Sequence, residues 1–210
     1  MDLNAQQRPD DLRDEQIIEL YRGGREEAFG VLVKRYRQEL YHFLIRFTGS
    51  RHSAEDVFQE TFMQVHISID RFETSKRFKP WLFTIAANKA RDHLRRNKRR
   101  ATAQLSAPIQ AGSEEERQFL DLMQADLPLP EDEAALRETQ ERVRQVVQSL
   151  PDHLREILLL AYFHQFPYKE IASMLGIPLG TVKSRLHTAV GTFADLWKRR
   201  QQQPGEHGGQ

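Results

Sequence analysis

Between residues 181 and 187 the chain concentrates hydrogen-bond donors and cations, with no acidic residue among them. Such groups can donate to the base edges and phosphates of duplex DNA in a major groove. An ordinary solvated helix mixes charges of both signs, so this composition favours a nucleic-acid surface. The candidate duplex-binding residues are Thr181, Lys183, Ser184, Arg185 and His187.

The flanking sequence predicts a helix-turn-helix that would position these side chains. Gly176 can adopt a positive φ and end the first helix, while Pro178 tolerates the start of a new helix. Two amphipathic helices joined at a glycine also occur as plain packing units in all-α proteins, so the spacing alone leaves both interpretations open. The apolar residues that would close its small core are Ile171, Leu175, Ile177, Val182 and Leu186.

A second concentration of cations, interleaved with aromatic residues, extends from residue 71 to residue 100. Its first part predicts a basic loop, and Pro80 suits the first turn of a helix that runs to about Arg96. Aromatic surfaces for unstacked bases and positive charge for the backbone are what single-strand binding needs. We expect Phe78 to be exposed and to meet a base, whereas Trp81 is as compatible with capping the core as with stacking. The candidate strand-binding residues are Lys76, Arg77, Phe78, Trp81, Asn88, Arg91 and Arg95.

The predicted helix after Pro80 has two further interpretations. A solvated face would carry compensating acids, but Asp92 is the one acid between residues 80 and 96. A membrane-surface helix would need a broad apolar face, and the inner face here is narrow and rich in alanine. Nucleic-acid binding is therefore favoured for this helix.

Acidic residues mark the outward face of a helix predicted to begin at a capping box of Ser53 and Asp56. Acids in a first turn usually complement the helix dipole, which accounts for Asp56. The same argument accounts less well for Gln59 and Glu60, one turn later. Phe62 belongs to the apolar face of this helix and is predicted to point inward.

Composition excludes several classes of protein. The chain has 210 residues, a net charge of +1 and no cysteine, so disulfide frameworks and thiolate chemistry are excluded. The eight histidines are scattered without metal-ligand spacing, and we expect no catalytic residue, no metal and no cofactor. No apolar run approaches a membrane span and the N-terminus lacks a secretory pattern, so a cytoplasmic location without membrane insertion is the expectation.

The predicted fold class is all-α, with two small helical domains joined by a flexible acidic linker. Acids accumulate between Pro108 and Pro130, where apolar periodicity fades. The expected parts are an N-terminal tail (1–14), a helical bundle (15–100), the linker (101–132), a helix-turn-helix domain (133–198) and a disordered tail (199–210).

Several motifs resemble those of the extracytoplasmic-function (ECF) sigma factors of bacterial RNA polymerase. Residues 150–160, 168–172 and 180–187 resemble the C-terminal, region-four domain of that family. Residues 71–100 resemble regions 2.3 and 2.4, where a loop captures a flipped base of the minus-ten element and the next helix contacts the strand and upstream duplex. The resemblance covers roughly residues 15–100 and 133–197. Residues 188–191, Thr-Ala-Val-Gly, depart from it, since a further arginine often follows the histidine in the family.

The resemblance implies a promoter-specificity subunit that leaves catalysis to the polymerase. Its partners would be core polymerase, through the β′ clamp and β flap, promoter DNA as duplex and as melted strand, and an anti-sigma factor. By this resemblance, Asp56, Gln59 and Glu60 would bind the β′ clamp. Phe62 is a supporting candidate for the same contact and is also a candidate core residue. A free-standing regulator that binds duplex DNA without polymerase is the alternative.

Overall fold

The computed structural model describes residues 11–103 and 133–202, and it confirms the all-α fold class within those ranges. The described chain includes a short 3-10 turn over Ile69–Arg71 and a π-helical turn over Leu159–Phe163. The helices are α1 (Asp14–Arg22), α2 (Glu27–Thr48), α3 (Arg51–Ser68), α4 (Phe78–Ala103), α5 (Glu133–Gln148), α6 (Asp152–Leu158), α7 (Tyr168–Leu175) and α8 (Leu179–Gln201).

Helices α1 to α4 form the N-terminal domain around a core of aromatic and aliphatic side chains. The long helix α2 packs against the other three helices and buries Phe43 and Phe47 completely. Leu12, which the sequence assigned to the tail, already packs into this core. Residues 1–10 of the predicted N-terminal tail and residues 104–132 of the predicted linker lie outside the described residues, and so do residues 203–210 of the predicted C-terminal tail.

The predicted start of α3 is wrong by three residues. The N-cap is Ser50, in an extended conformation, and its side chain accepts a hydrogen bond from the backbone N–H of Ser53 at 3.4 Å. Gly49 takes a left-handed φ of 77° and ends α2, so the chain can turn and re-enter a helix at once. Helix α4 is also longer than predicted, because neither glycine nor proline occurs between residues 97 and 103.

Helices α5 to α8 form the C-terminal domain, and α7 and α8 make the predicted helix-turn-helix. Gly176 ends α7 with φ 63°, and the N–H of Ile177 donates to the carbonyl of Ala172 at 3.0 Å. Val182 and Leu186 of α8 are buried against the rest of the domain. The local turn chemistry that predicted this motif is therefore confirmed.

The two domains are joined by hydrogen bonds to the C-terminal end of α2. The last carbonyls of a helix lack partners within the helix and need them from elsewhere. Arg155 donates from Nη1 to the carbonyl of Phe47 at 2.6 Å, and Gln148 donates from Nε2 to the carbonyl of Arg46 at 2.6 Å. Side chains of the C-terminal domain thus cap a helix of the N-terminal domain.

Candidate nucleic-acid and protein interfaces

Helix α8 brings the predicted duplex-binding side chains onto one exposed surface. Lys183, Ser184 and His187 are exposed, while Thr181 and Arg185 are half-buried. The Ser184 hydroxyl donates its proton to the carbonyl of Thr181 at 3.2 Å. Its oxygen can still accept a hydrogen bond from a partner. The buried positions of α8 anchor the opposite side of the helix, so this surface is available to a large partner.

A carboxylate of α6 that was not predicted from the sequence lies beneath α8. The Glu156 side chain is nearly fully buried, and its Oε1 lies 3.4 Å from Nε of Arg91 in the N-terminal domain. Burial raises the pKa of the Glu156 carboxyl from its usual 4.5 to about 7, against the opposing effect of Arg91 and Arg185. One carboxylate is therefore close to a candidate strand-binding arginine and a candidate duplex-binding arginine.

Replacement of Glu156 by glutamine should remove a component of the pH dependence of stability. A raised carboxyl pKa means that the folded protein keeps a proton that the unfolded chain releases, so this stabilisation is complete below about pH 4.5 and lost as pH rises through about 7. A shift of one pKa unit corresponds to about 1.4 kcal/mol. The free energy of unfolding of the wild type should therefore fall by about 3 kcal/mol more than that of Glu156→Gln over this pH range. Denaturant unfolding between pH 4 and pH 8 measures it.

The control for this prediction is the same substitution at exposed Glu27 on α2. The Glu27→Gln protein should show the same pH dependence of stability as the wild type. Parallel pH profiles for the wild type and Glu156→Gln would contradict the assignment to Glu156.

Helix α4 aligns three of the candidate strand-binding residues on one face at helical spacing. Asn88 is exposed and accepts a hydrogen bond from the guanidinium of Arg91, which is half-buried. Arg95 is exposed and donates to Asp92 at 2.9 Å. This face carries hydrogen-bonding groups and positive charge toward solvent, as the sequence predicted.

The expectation that Phe78 is exposed is wrong. Phe78 is the first residue of α4 and its ring is fully buried, with ring centroids 5.6 Å from Tyr36 and 5.8 Å from Phe72. Only residues 72–77 separate the preceding 3-10 turn from α4, so the chain re-enters the core at once. Trp81 is half-buried and lies 4.9 Å from Phe72, so part of its surface remains accessible.

The two cations of the loop before α4 have different surroundings. Lys76 is exposed and pairs with Glu73 within the loop at 2.9 Å. Arg77 pairs instead with Glu170 of α7, in the C-terminal domain. The contact across the domains was not predicted, because nothing local in the sequence indicates it.

Helix α3 presents the predicted acidic face, and Phe62 proves to be a core residue. Gln59 is exposed, and Glu60 is half-exposed and accepts a hydrogen bond from Arg96 at 3.1 Å. Asp56 lies 3.7 Å from His52. The Phe62 side chain is buried, with its ring centroid 4.9 Å from that of Phe58.

Two exposed apolar side chains on α3 were not predicted from the sequence. Met63 is 67% exposed and Ile67 is 66% exposed. They follow Gln59 at intervals of four residues and therefore lie on the same helix face. That spacing was readable in the sequence, and it extends the acidic face with an apolar strip suited to a protein partner.

Within residues 11–103 and 133–202 no group of three or more histidine, aspartate or glutamate side chains could hold a metal ion. None of the helices described is both long enough and apolar enough to cross a membrane.

An acidic helix face, a cationic helix face and a helix-turn-helix on two helical domains define a DNA-binding protein with a protein partner. The family model "Sigma-70 region 2" matches residues 32–100 and "Sigma-70, region 4" matches residues 140–191. The ECF RNA polymerase sigma factor SigW of Bacillus subtilis (strain 168) is 34% identical over 81% of this chain and 89% of its own length. The RNA polymerase sigma-H factor of Pseudomonas aeruginosa is 32% identical over 84% of this chain and 90% of its own length.

The fold is shared with solved structures, and two of them cover most of this chain. CnrH in complex with the cytosolic domain of CnrY aligns with a TM-score of 0.63 and 23% identity, over 89% of this chain and 97% of that one. The sigma factor RpoE of Bartonella quintana in complex with the anti-sigma factor NepR aligns with a TM-score of 0.61 and 24% identity, over 82% and 98%.

The chain belongs to the ECF RNA polymerase sigma factors. It is a sigma factor with promoter-recognition regions 2 and 4 and not an enzyme, so the alternative of a free-standing regulator is wrong. Region 2 corresponds to the N-terminal domain and region 4 to the C-terminal domain.

Proposed function

We propose that α8 reads the duplex of the minus-thirty-five element. The observation that carries this proposal is the exposure of Lys183, Ser184 and His187 on the side of α8 opposite its buried residues. A helix anchored by one apolar face and presenting donors on the other suits a major groove. Thr181 and Arg185 border this surface and complete the contact set.

The minus-ten element is the proposed ligand of α4 and the loop before it. Asn88, Arg91 and Arg95 supply donors along one helix face, and Lys76 and Arg77 supply charge from the loop. Stacking on the half-buried Trp81 would favour the unpaired state of a base and so lower the cost of opening the duplex. Phe78 does not contact the strand in this proposal. Its buried ring packs against Trp81 and so helps to hold Trp81 in place.

Core polymerase is the proposed partner of the α3 face, through the β′ clamp. Asp56, Gln59 and Glu60 provide its polar contacts, and Met63 and Ile67 add apolar area that would be buried on binding. The buried Phe62 holds α3 in place and supports the surface from within. Region 4 would contact the β flap.

The proposed location is the cytoplasm, where the polymerase acts. We also infer an anti-sigma partner for this chain. Support comes from the two structural neighbours, of which one is bound to the cytosolic domain of CnrY and the other to the anti-sigma factor NepR.

Transcription from a randomised promoter library with purified core polymerase, with and without this protein, tests the proposed function. Defined start sites that appear only when the protein is present are the expected result, and the enriched sequences would report both promoter elements. Unchanged transcription in its presence would contradict the proposal.

Replacing Arg185 by alanine should relax the preference at one base pair of the minus-thirty-five element. A bidentate contact from an arginine is worth about 1–3 kcal/mol of discrimination, or roughly 5- to 150-fold. The same promoter library measures the preference at every position. Lys34→Ala, which removes an exposed cation on α2, is the control that should leave all preferences unchanged. An unaltered library profile for Arg185→Ala would contradict the base contact and leave Arg185 with its electrostatic interaction with Glu156 alone.

A further inference from the structure

Four residues that carry hydroxyl groups follow one another along α8 at intervals of three or four residues. They are Thr181, Ser184, Thr188 and Thr192, and this spacing places them in one row on the helix surface. Ser184 and Thr188 are exposed, whereas Thr181 and Thr192 are half-buried. We call these four residues the hydroxyl row. Thr181 and Ser184 already belong to the proposed duplex-binding set, and Thr188 continues the row beyond it.

The last three hydroxyls of the row donate their protons to the helix backbone. Ser184 donates to the carbonyl of Thr181 at 3.2 Å, and Thr188 donates to the carbonyl of Ser184 at 3.0 Å. Thr192 donates to the carbonyl of Thr188 at 2.8 Å. A hydroxyl has one proton, so these three groups cannot also donate to a base while the bonds persist. They can offer a DNA groove oxygen lone pairs and, at the two threonines, a methyl group.

The hydrogen bond of Thr188 also restricts its methyl group. A threonine in a helix has two accessible χ1 rotamers, and a bond from Oγ1 to a carbonyl of the preceding turn favours one of them. The exposed Thr188 side chain is therefore held to the helix by its hydroxyl, and its methyl group is fixed relative to the backbone.

The surroundings of Thr188 are neutral and open. No charged residue occurs between residues 188 and 194, in contrast to the cations between residues 183 and 187. Gly191 follows Thr188 by three residues and so neighbours it on the helix surface. A Cβ added at Gly191 would meet nothing within 4 Å. The chain therefore leaves Thr188 accessible to a partner from that side.

The major-groove edges of the bases differ in what Thr188 can contact. Guanine presents the acceptors N7 and O6 there, which need donors that Thr188 does not have free. Thymine presents a 5-methyl group, and a threonine methyl makes a favourable apolar contact with it. The donors of Lys183, Arg185 and His187 suit guanine and phosphate, so two parts of α8 suit different base pairs.

We propose that the Thr188 methyl group contacts the 5-methyl group of a thymine in the minus-thirty-five element and thereby selects an A·T pair at that position. The inference rests on the proposed function, in which α8 reads this duplex. Thr188 would then be a specificity-determining residue, and the hydrogen bond to the Ser184 carbonyl would hold its methyl group in place for the contact.

Removing one methyl group from the DNA tests the contact from the side of the ligand. Each thymine of the minus-thirty-five element enriched in the promoter library is replaced in turn by deoxyuridine, which lacks the 5-methyl group and keeps the base-pairing groups. The affinity of the holoenzyme for each promoter fragment is measured by competition with the unmodified fragment. At one thymine we expect a loss of about three- to four-fold, the effect of one buried methyl-sized group.

Two substitutions at Thr188 test the contact from the side of the protein. Thr188→Val keeps a methyl group and removes the hydroxyl, so it should bind the unmodified promoter nearly as well as the wild type. Thr188→Ser keeps the hydroxyl and removes the methyl group, so it should lose about three- to four-fold on the unmodified promoter. The same variant should lose nothing more when deoxyuridine replaces the contacted thymine, since the two methyl groups act as a pair.

Thr192→Ser is the matched control, because it makes the same chemical change one turn further along the hydroxyl row. It should keep the full loss of affinity on deoxyuridine substitution. Thr188 is exposed, so both of its variants should fold as the wild type does, and transcription from the unmodified promoter checks this.

The outcomes separate this inference from the proposed function. The contact is overturned by equal deoxyuridine effects in the wild type and Thr188→Ser, by no deoxyuridine effect in the wild type, or by an enriched element without an A·T pair. A protein that enriches no minus-thirty-five element with core polymerase contradicts the proposed function itself.

Discussion

Replacement of Phe78 by alanine is expected to lower the free energy of unfolding of this sigma factor by about 3–5 kcal/mol. The ring is completely buried, and its centroid lies between 5.6 and 5.8 Å from those of Tyr36, Phe72 and Trp81. Truncation would leave a cavity that these rings cannot fill without moving from their own positions. Urea unfolding monitored by circular dichroism measures the loss.

Phe78→Leu is the control that separates packing from recognition of a base. Leucine fills most of the volume and should cost much less than alanine, but it offers no aromatic face to a base. Normal promoter opening by Phe78→Leu would assign Phe78 to the core alone. Opening lost in a stably folded Phe78→Leu protein would support a role in base capture, and wild-type stability of Phe78→Ala would contradict the observed burial.

Replacement of Arg155 by alanine is expected to cost about 3 kcal/mol of stability. Its guanidinium donates to four carbonyls, those of Phe47, Val147, Gln148 and Leu150, at 2.6 to 3.2 Å. Arg155 is 7% exposed, so water cannot replace its guanidinium fully at these acceptors. Each buried acceptor left without a partner costs about 1 kcal/mol or more, and relaxation of the chain recovers part of the sum. Thermal or urea unfolding provides the measurement.

Two further variants serve as comparisons for Arg155→Ala. Arg155→Lys should lose most of the same stability, because an ammonium group cannot reach four acceptors arranged around a planar fork. Arg144→Ala, on the exposed side of α5, should change stability by no more than about 0.5 kcal/mol. Equal effects of Arg155→Ala and Arg144→Ala would contradict the stabilising role of Arg155 at these four carbonyls.

The helix-turn-helix was predictable because its determinants are local. Gly176 permits the positive φ that ends α7, Pro178 fixes its own φ just before α8, and the spacing of Val182 and Leu186 selects the buried face of α8. Exposure of Lys183 and His187 then follows from helical geometry. The acidic face of α3 was predictable for the same reason, although its N-cap moved to Ser50 because Gly49 ends α2 first.

The sequence by itself determined the all-α class, the family motifs and the faces of single helices, since each depends on residues a few positions apart. Only the tertiary structure decided that Phe78 is buried, that Glu156 lies beside Arg91 and is influenced by the charge of Arg185, and that Glu170 pairs with Arg77. These partners are separated by tens of residues, and no periodicity encodes their meeting. The charge composition of a segment predicts that its cations can bind DNA. Only the fold determines which carboxylate lies beside each cation.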